Sequence, residues 1–300
     1  MDEIGTPERH VRIRPVAVPV VGLIKLMRPK QWVKNAFVFA PLLFTGQFRV
    51  PSAAIAVAIT CGLFCLASSI VYVLNDLSDV ERDRAHPVKS KKRPLASGAV
   101  SITQGWLLLA ALAAMLVGVG VAVAAPWVMM VIGGYVALNL AYTLKLKHVA
   151  VVDIFCIALG FVLRVYAGAT AMAVPVSHWM FVTTMCLALY LAAIKRRQEL
   201  KNVGEGGREV LGRYSLSIVD RYAMLSSSGA LFFYSMFVMS SRPALTVTIP
   251  VVLFGLFRYW YLVDQLEEGE SPTDVVYSDV QIVLTVLAWI GVCAWVVGRT

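Results

Sequence analysis

The chain has 300 residues, 59% hydrophobic and 15% charged, with a mean hydropathy of +0.74 and a formal net charge of +9. One core of that length cannot hide so much apolar surface from water, so the composition excludes a soluble domain and indicates an integral membrane protein. The positive charge does not point to nucleic acid, because no basic and aromatic surface stands clear of the apolar runs.

The N-terminal "MDEIGTPERHVRIRPVAVPV" carries charges but no apolar stretch followed by a small-residue cleavage site, so no cleaved signal peptide is expected. Next, "VVGLIKLMRPKQWVKN" mixes Leu, Ile and Trp with Lys25, Arg28, Lys30 and Lys34, which suits an amphipathic helix lying among lipid headgroups. Residues 1–31 are read as a cytoplasmic arm and this helix. Spans of about 20 apolar residues follow at 32–48, 52–75, 103–125, 127–144, 150–173, 178–196, 217–240, 244–264 and 279–298. The first is short and interrupted by Pro41. The expected architecture is one all-α polytopic membrane helical bundle, 1–300, of about nine transmembrane helices.

Most of the 27 lysines and arginines fall on the side of the N-terminus; Arg49, Arg242 and Arg299 lie opposite, and Arg164 is inside a span. The bias places the N-terminus in the cytoplasm of a plasma-membrane protein, with loops 76–102 and 197–216 and the acidic "DQLEEGESPTDVVYSD" on the same side. Long loops more often carry function than tight turns do. The five cysteines (Cys61, Cys65, Cys156, Cys186, Cys293) all lie in apolar runs and read as small buried hydrophobes. No internal repeat is evident. "GVGVAVAA" could pack helices within the chain or join subunits, so a homo-oligomer stays open.

The chemistry concentrates in "YVLNDLSDVERDRAHPVKSKKRPLASG", where an apolar run ends. Residues four apart on a helix differ by about 40° in rotation, so Asn75, Asp79 and Asp83 form a stripe, with Asp76 beside it and Tyr72 one turn earlier. An oxygen-rich stripe without thiols or imidazoles suits a hard cation, Mg²⁺ above all, held by one or two carboxylates together with substrate phosphates. A solvated helix end paired to Arg82 and Arg84 is the plainer reading, but unpaired charge against a deep apolar span is expensive and usually functional. The bases that follow, Lys89, Lys91, Lys92 and Arg93, make sense if a phosphorylated substrate lies between acids and bases. "YTLKLKHVAVVD" supplies Tyr142, Lys145, Lys147 and Asp153 at a second helix end, and "IKRRQELKN" supplies Lys195, Arg196, Arg197 and Glu199 at a third. Three such mouths on one side suggest one shared pocket. Arg164 should face the bundle interior, too far along its helix from Asp153 for direct contact.

These residues carry a family resemblance. "NDLSDVERD" matches the NDxxDxxxD signature of the UbiA superfamily of intramembrane prenyltransferases, and "KKRPLASG", "RPKQWVKN" and "AYTLKLKHVAVVD" resemble segments of the same family over nearly the whole chain. Most of that family carries a second aspartate-rich motif where this sequence has "KRRQELKNVGEGGREVLGRYS", with Glu199 as the main acid. That departure, with "RPKQWVKNAFVFAPLLF" and "GESPTDVVYSD", resembles the decaprenyl-phosphate phosphoribosyltransferase branch of actinobacteria. The resemblance implies a reaction of 5-phosphoribosyl 1-diphosphate (PRPP) with decaprenyl phosphate, giving decaprenylphosphoryl-5-phosphoribose and diphosphate for cell-wall arabinan.

On that reading Asp76, Asp79 and Asp83 are the catalytic acids, and Asn75, Asp79 and Asp83 hold the metal. Lys30, Tyr72, Tyr142 and Lys147 contact PRPP; Lys195, Arg196, Arg197 and Glu199 serve its 5-phosphate or a second metal. Lys89, Lys91 and Arg93 receive the lipid phosphate, and the surrounding lipids are anionic. A prenyltransferase using a polyprenyl diphosphate and an aromatic or quinone acceptor is the rival enzyme. A transporter would favour inverted repeats and charges near the midplane, and a scaffold leaves the acidic stripe unexplained.

Overall fold

The computed structural model describes residues 20–202, 209–265 and 278–299; the N-terminal arm to residue 19, the loop tip 203–208, the acidic connection 266–277 and Thr300 lie outside the described residues. Within them the chain is helical, without a β-strand. Helix α1 (Val20–Met27) buries Gly22 and Leu26, packs on α3 (Pro51–Ser78), and leaves Val20, Val21 and Ile24 exposed. That one-sided burial is the geometry of a helix lying in an interface.

Eight of the nine expected spans are long apolar helices. These are α3, α6 (Ile102–Val123), α7 (Pro126–Leu144), α8 (Val152–Ala171), α9 (His178–Asn202), α10 (Leu216–Ser241), α11 (Ile249–Gln265, with a short 3₁₀ turn before it) and α12 (Val280–Arg299). Sequence chemistry sets their starts. Pro51 and Pro126 occupy first turns, where no backbone donor is needed. Ser101 and Gln104 form a reciprocal cap on α6, and Ser215 caps α10.

The remaining span takes a different form. Pro29–Phe39 is a 3₁₀ helix and α2 is Ala40–Thr45. Pro41 cannot donate to the carbonyl of Phe37, and the Ala40 N–H takes that carbonyl in a tighter turn. Eleven 3₁₀ residues and six α residues have a contour of roughly 31 Å, enough for a hydrocarbon layer of roughly 30 Å. This broken segment packs on both α3 and α8.

Its approach to α8 is close. A Cβ added at Gly168 would lie 1.9 Å from the Val38 carbonyl oxygen. Gly168→Ala is therefore expected to push the segment off α8 at a cost of about 1–3 kcal/mol, seen as a lower melting temperature in detergent.

Helices α3 and α8 are the most buried spans. Leu63, Phe64, Leu112, Ile132 and Tyr135 form one core between α3, α6 and α7; Tyr190, Ile194, Val219, Tyr259 and Leu262 form another between α9, α10 and α11. Helix α8 reaches both, through Ala167 and Ile154.

Candidate active site at the helix mouths

The 28 residues of α3 run about 42 Å, against a hydrocarbon layer of about 30 Å. The surplus length lets the last turns, with Tyr72, Asn75 and Asp76, reach headgroup depth. At Asp79 (φ −99°, ψ 6°) the helix is interrupted, and α4 (Val80–Ala85) continues from it. The backbone still bonds from Asp79 N–H to Asn75 and from Asp83 N–H to Asp79, at 3.0 and 2.9 Å. The acids stay together across the break, while Glu81 is exposed.

Cations return to these acids from elsewhere in the chain. The loop after α4 contains α5 (Lys89–Lys92) and is anchored by Leu95 and Val100, both buried in the α3 core. That anchor folds Arg93 back, so that its Nη1 lies 2.7 Å from Asp76 and 2.5 Å from Asp83. Arg28, in a left-handed conformation (φ 54°), places Nη2 2.5 Å from Asp76 and its guanidinium over the Tyr72 ring. Such a backbone is uncommon for a non-glycine residue and tends to occur at functional sites. Asp76 and Asp83 are buried. Asp79 is 31% exposed, with Lys147 Nζ at 3.3 Å. The Thr143 hydroxyl donates to the Asn75 side-chain oxygen, joining the end of α7 to the same mouth.

The second and third mouths meet at Arg196, which is fully buried. Its Nε lies 2.5 Å from Asp153, its Nη2 donates to the Tyr142 hydroxyl at 2.9 Å, and Nη1 pairs with Glu199. Lys195 lies 3.9 Å from Glu199. The Tyr214 hydroxyl donates to Asp153 at 2.6 Å and accepts the Val151 N–H at 2.5 Å. Burial, then the bond to Asp153, pushes the Tyr214 hydroxyl pKa up, so it remains a donor. Val151 has φ 71°, a second strained residue beside a site helix.

Arg197 turns away from its two neighbours. It reaches Asp220 at 2.7 Å and Asp264 at 2.5 Å, tying α9 to α10 and α11. Lys195, Arg196 and Arg197 thus do not form one cluster. Helix α9 also runs past residue 196 to Asn202, so the 197–216 connection is partly helical. Lys30 and Lys91 are exposed, and Lys89 stands 4.0 Å from Asp83. Sequence spacing did not single out Arg28, Thr143 or Tyr214; the basic "LMRPK" next to an amphipathic run was the one available signal for Arg28.

Deeper in the bundle, Arg164 has found its partners. Nε donates to Asn35 at 2.8 Å, Nη1 to the Gly160 carbonyl at 2.7 Å and Nη2 to the Tyr135 hydroxyl at 3.1 Å, among the rings of Phe64, Tyr135 and Phe161. Asn35 also donates toward Ser68 and Cys65 of α3. One residue of the broken segment therefore links α3 to α8 below the mouths. Asn35→Leu is expected to cost about 2–3 kcal/mol, because a bond to a buried charge is lost; a melting curve like that of the parent would contradict this role.

Residues 36–276 match the UbiA prenyltransferase family. The chain belongs to that family. This UbiA protein is 34% identical to the decaprenyl-phosphate phosphoribosyltransferase of Mycolicibacterium smegmatis, over 93% of this chain and 94% of the relative. It is 32% identical to the protein of the same name from Corynebacterium glutamicum, over 90% and 84%. Its fold is similar to that of a UbiA homologue from Archaeoglobus fulgidus bound to GPP and Mg²⁺, with a TM-score of 0.71, 18% identity and coverage of 92% and 99%. It is thus a multi-pass membrane transferase.

The donor chemistry of the first mouth can be tested against a divalent cation. Among the described residues no three acidic, histidine or cysteine side chains converge into a metal cage. Asn75, Asp76, Asp79 and Asp83 nonetheless offer only oxygen donors, at a mouth also lined by cations. That set fits a hard cation bound by one or two carboxylates, waters and a substrate phosphate, and it does not fit an all-protein site.

Proposed function

We propose that this UbiA protein transfers the 5-phosphoribosyl group of PRPP to decaprenyl phosphate at the cytoplasmic face of the plasma membrane, with Mg²⁺ as cofactor, toward cell-wall arabinan. The observation that carries this reading is the similarity along nearly the whole chain to relatives named for that reaction. The geometry agrees with it: an acidic mouth and a basic mouth are joined through Lys147 and Tyr142.

Asn75, Asp76, Asp79 and Asp83 would hold the cation, which supplies Lewis-acid stabilisation of the departing diphosphate. Lys147 sits beside Asp79, where it would neutralise diphosphate oxygens, with Lys30, Tyr72 and Tyr142 along the ribose. Lys195, partly exposed beside the buried Arg196 that Asp153 and Glu199 fix, would take the 5-phosphate. As the anomeric C–O bond to diphosphate breaks, positive charge develops on the ribose. An oxygen of the lipid phosphate forms the new bond to that carbon. The nucleophile arrives as an anion, so no general base is required, and diphosphate leaves.

A second reading has an observation in its favour: the Archaeoglobus fulgidus homologue is described with GPP and Mg²⁺. On that reading the donor is a polyprenyl diphosphate and the acceptor an aromatic or quinone. Calorimetric titration of the purified protein with PRPP and with farnesyl diphosphate, with Mg²⁺ or with chelator, separates them. Mg²⁺-dependent binding of PRPP is expected; binding of farnesyl diphosphate alone would transfer the assignment to the second reading.

A further inference from the structure

A cavity of about 430 Å³ opens beside the acid cluster, lined by Lys25, Arg28, Asp76, Lys92, Arg93 and Pro94. Two of its cations come from α1 and the residue that follows it; two come from the loop after α4. These ends lie far apart in sequence and are brought together because α1 packs on α3 while Leu95 and Val100 pin the loop to the same helix. Against the carboxylates of Asp76 and Asp83, the four cations leave an excess of two positive charges. A phosphomonoester carries a charge of about −1.5 to −2 near neutral pH, so a single such group balances the pocket. Arg28 and Arg93 are partly exposed, at 32% and 26%, and each retains donors for a phosphate beyond its bond to Asp76.

The surroundings of the cavity select among phosphates. One wall takes Lys25 from α1, a helix that shows Val20, Val21 and Ile24 at 61%, 70% and 50% exposure. Lys25 follows Ile24 directly, so an exposed apolar surface suited to the acyl region borders the cations. A ligand whose phosphate is attached to a long hydrocarbon can fill the pocket while its tail stays in the bilayer. A water-soluble sugar phosphate gains nothing from that wall.

The geometry points to this cavity as the acceptor subsite: Lys25, Arg28, Lys92 and Arg93 bind the phosphomonoester head of a polyprenyl phosphate beside Asp76. This rests on the phosphoribosyl-transfer reading and deepens it. Lys25, Arg28 and Lys92 join Arg93 in lining this cavity, in place of Lys89 and Lys91, which do not line it.

The test uses the full chain in detergent micelles and a short soluble analogue, farnesyl phosphate, with PRPP, inorganic phosphate and dioleoylphosphatidic acid as comparison ligands. Lys25→Gln/Lys92→Gln is expected to weaken farnesyl phosphate binding about tenfold, from the loss of two exposed charge contacts, and to leave PRPP affinity unchanged. Lys25→Arg/Lys92→Arg should bind as the parent does. Unchanged farnesyl phosphate affinity in the glutamine variant, or an equal loss for PRPP, overturns the subsite. Equal affinity of the parent for inorganic phosphate or phosphatidic acid overturns its assignment to the acceptor. If the parent binds farnesyl phosphate tightly but PRPP not at all, the donor in the proposed reaction is wrong, while the glutamine variant still decides the subsite.

Discussion

Replacing Asp79 by alanine is expected to lower turnover about 10³-fold or more, a loss of about 4 kcal/mol of transition-state stabilisation, while the protein melts as the parent does. Asp79 is the most exposed acid of the cluster, and its ion pair is a single 3.3 Å contact with Lys147. The pair is partly exposed, at 14% for Lys147 and 31% for Asp79, and a single contact of that kind contributes about 1 kcal/mol to stability, so the fold should change little. Asp76 gives the contrasting case. Buried between Arg28 and Arg93, it cannot be removed without leaving two guanidinium groups facing each other. Asp76→Ala should therefore lose both activity and stability. Steady-state rates together with melting curves for the two variants separate a ligand of the diphosphate from a strut that also serves one. Normal turnover in Asp79→Ala would remove the basis for the metal and diphosphate assignment.

Asp153→Leu is expected to cost about 3 kcal/mol, near the lower end of the range for breaking a buried pair, because Glu199 remains with Arg196. Asp153 and Arg196 are both fully buried, and Tyr214 and the strained Val151 converge on the same carboxylate. Removing the acid leaves a buried guanidinium short of a partner. The double variant Asp153→Leu/Arg196→Met should be less destabilised than Asp153→Leu, since an apolar pair can replace a buried ion pair without large loss. On the proposed reading it should nonetheless be inactive, because Arg196 holds Tyr142 and Glu199 in place at the mouth that would take the 5-phosphate. Thermal melting in detergent checks the first claim, and turnover of the double variant checks the second. If Asp153→Leu melts as the parent does, the pair does not organise the second mouth.

The acid cluster was readable in the sequence because its information is local. Spacing of four residues at the end of an apolar run fixes which face the acids share, whatever lies around them. Most of the spans were readable for the same reason. The first was harder: Lys34 and Pro41 dilute its hydropathy, and 3₁₀ turns reach a given length with fewer residues than a hydropathy window assumes. What spacing could not give is who pairs with whom. Arg164 meets Asn35 across 129 residues and Arg196 meets Asp153 across 43, and no periodicity records such contacts. The separation of Arg196 from Arg197 was hidden by their adjacency. A helix turns about 100° between neighbours, which here is enough to send one to Asp153 and the other to Asp220 and Asp264.

The central claim is that one mouth delivers a phosphoribosyl group to a lipid phosphate, and product formation tests it most directly. Purified protein would be incubated with Mg²⁺, PRPP labelled in the ribose and decaprenyl phosphate, and the organic-extractable label measured with and without chelator. The account predicts a labelled lipid phosphodiester that forms with the parent protein and disappears with chelator or with Asp79→Ala. No labelled lipid, from the same preparation turning over a polyprenyl diphosphate with an aromatic acceptor, would contradict it.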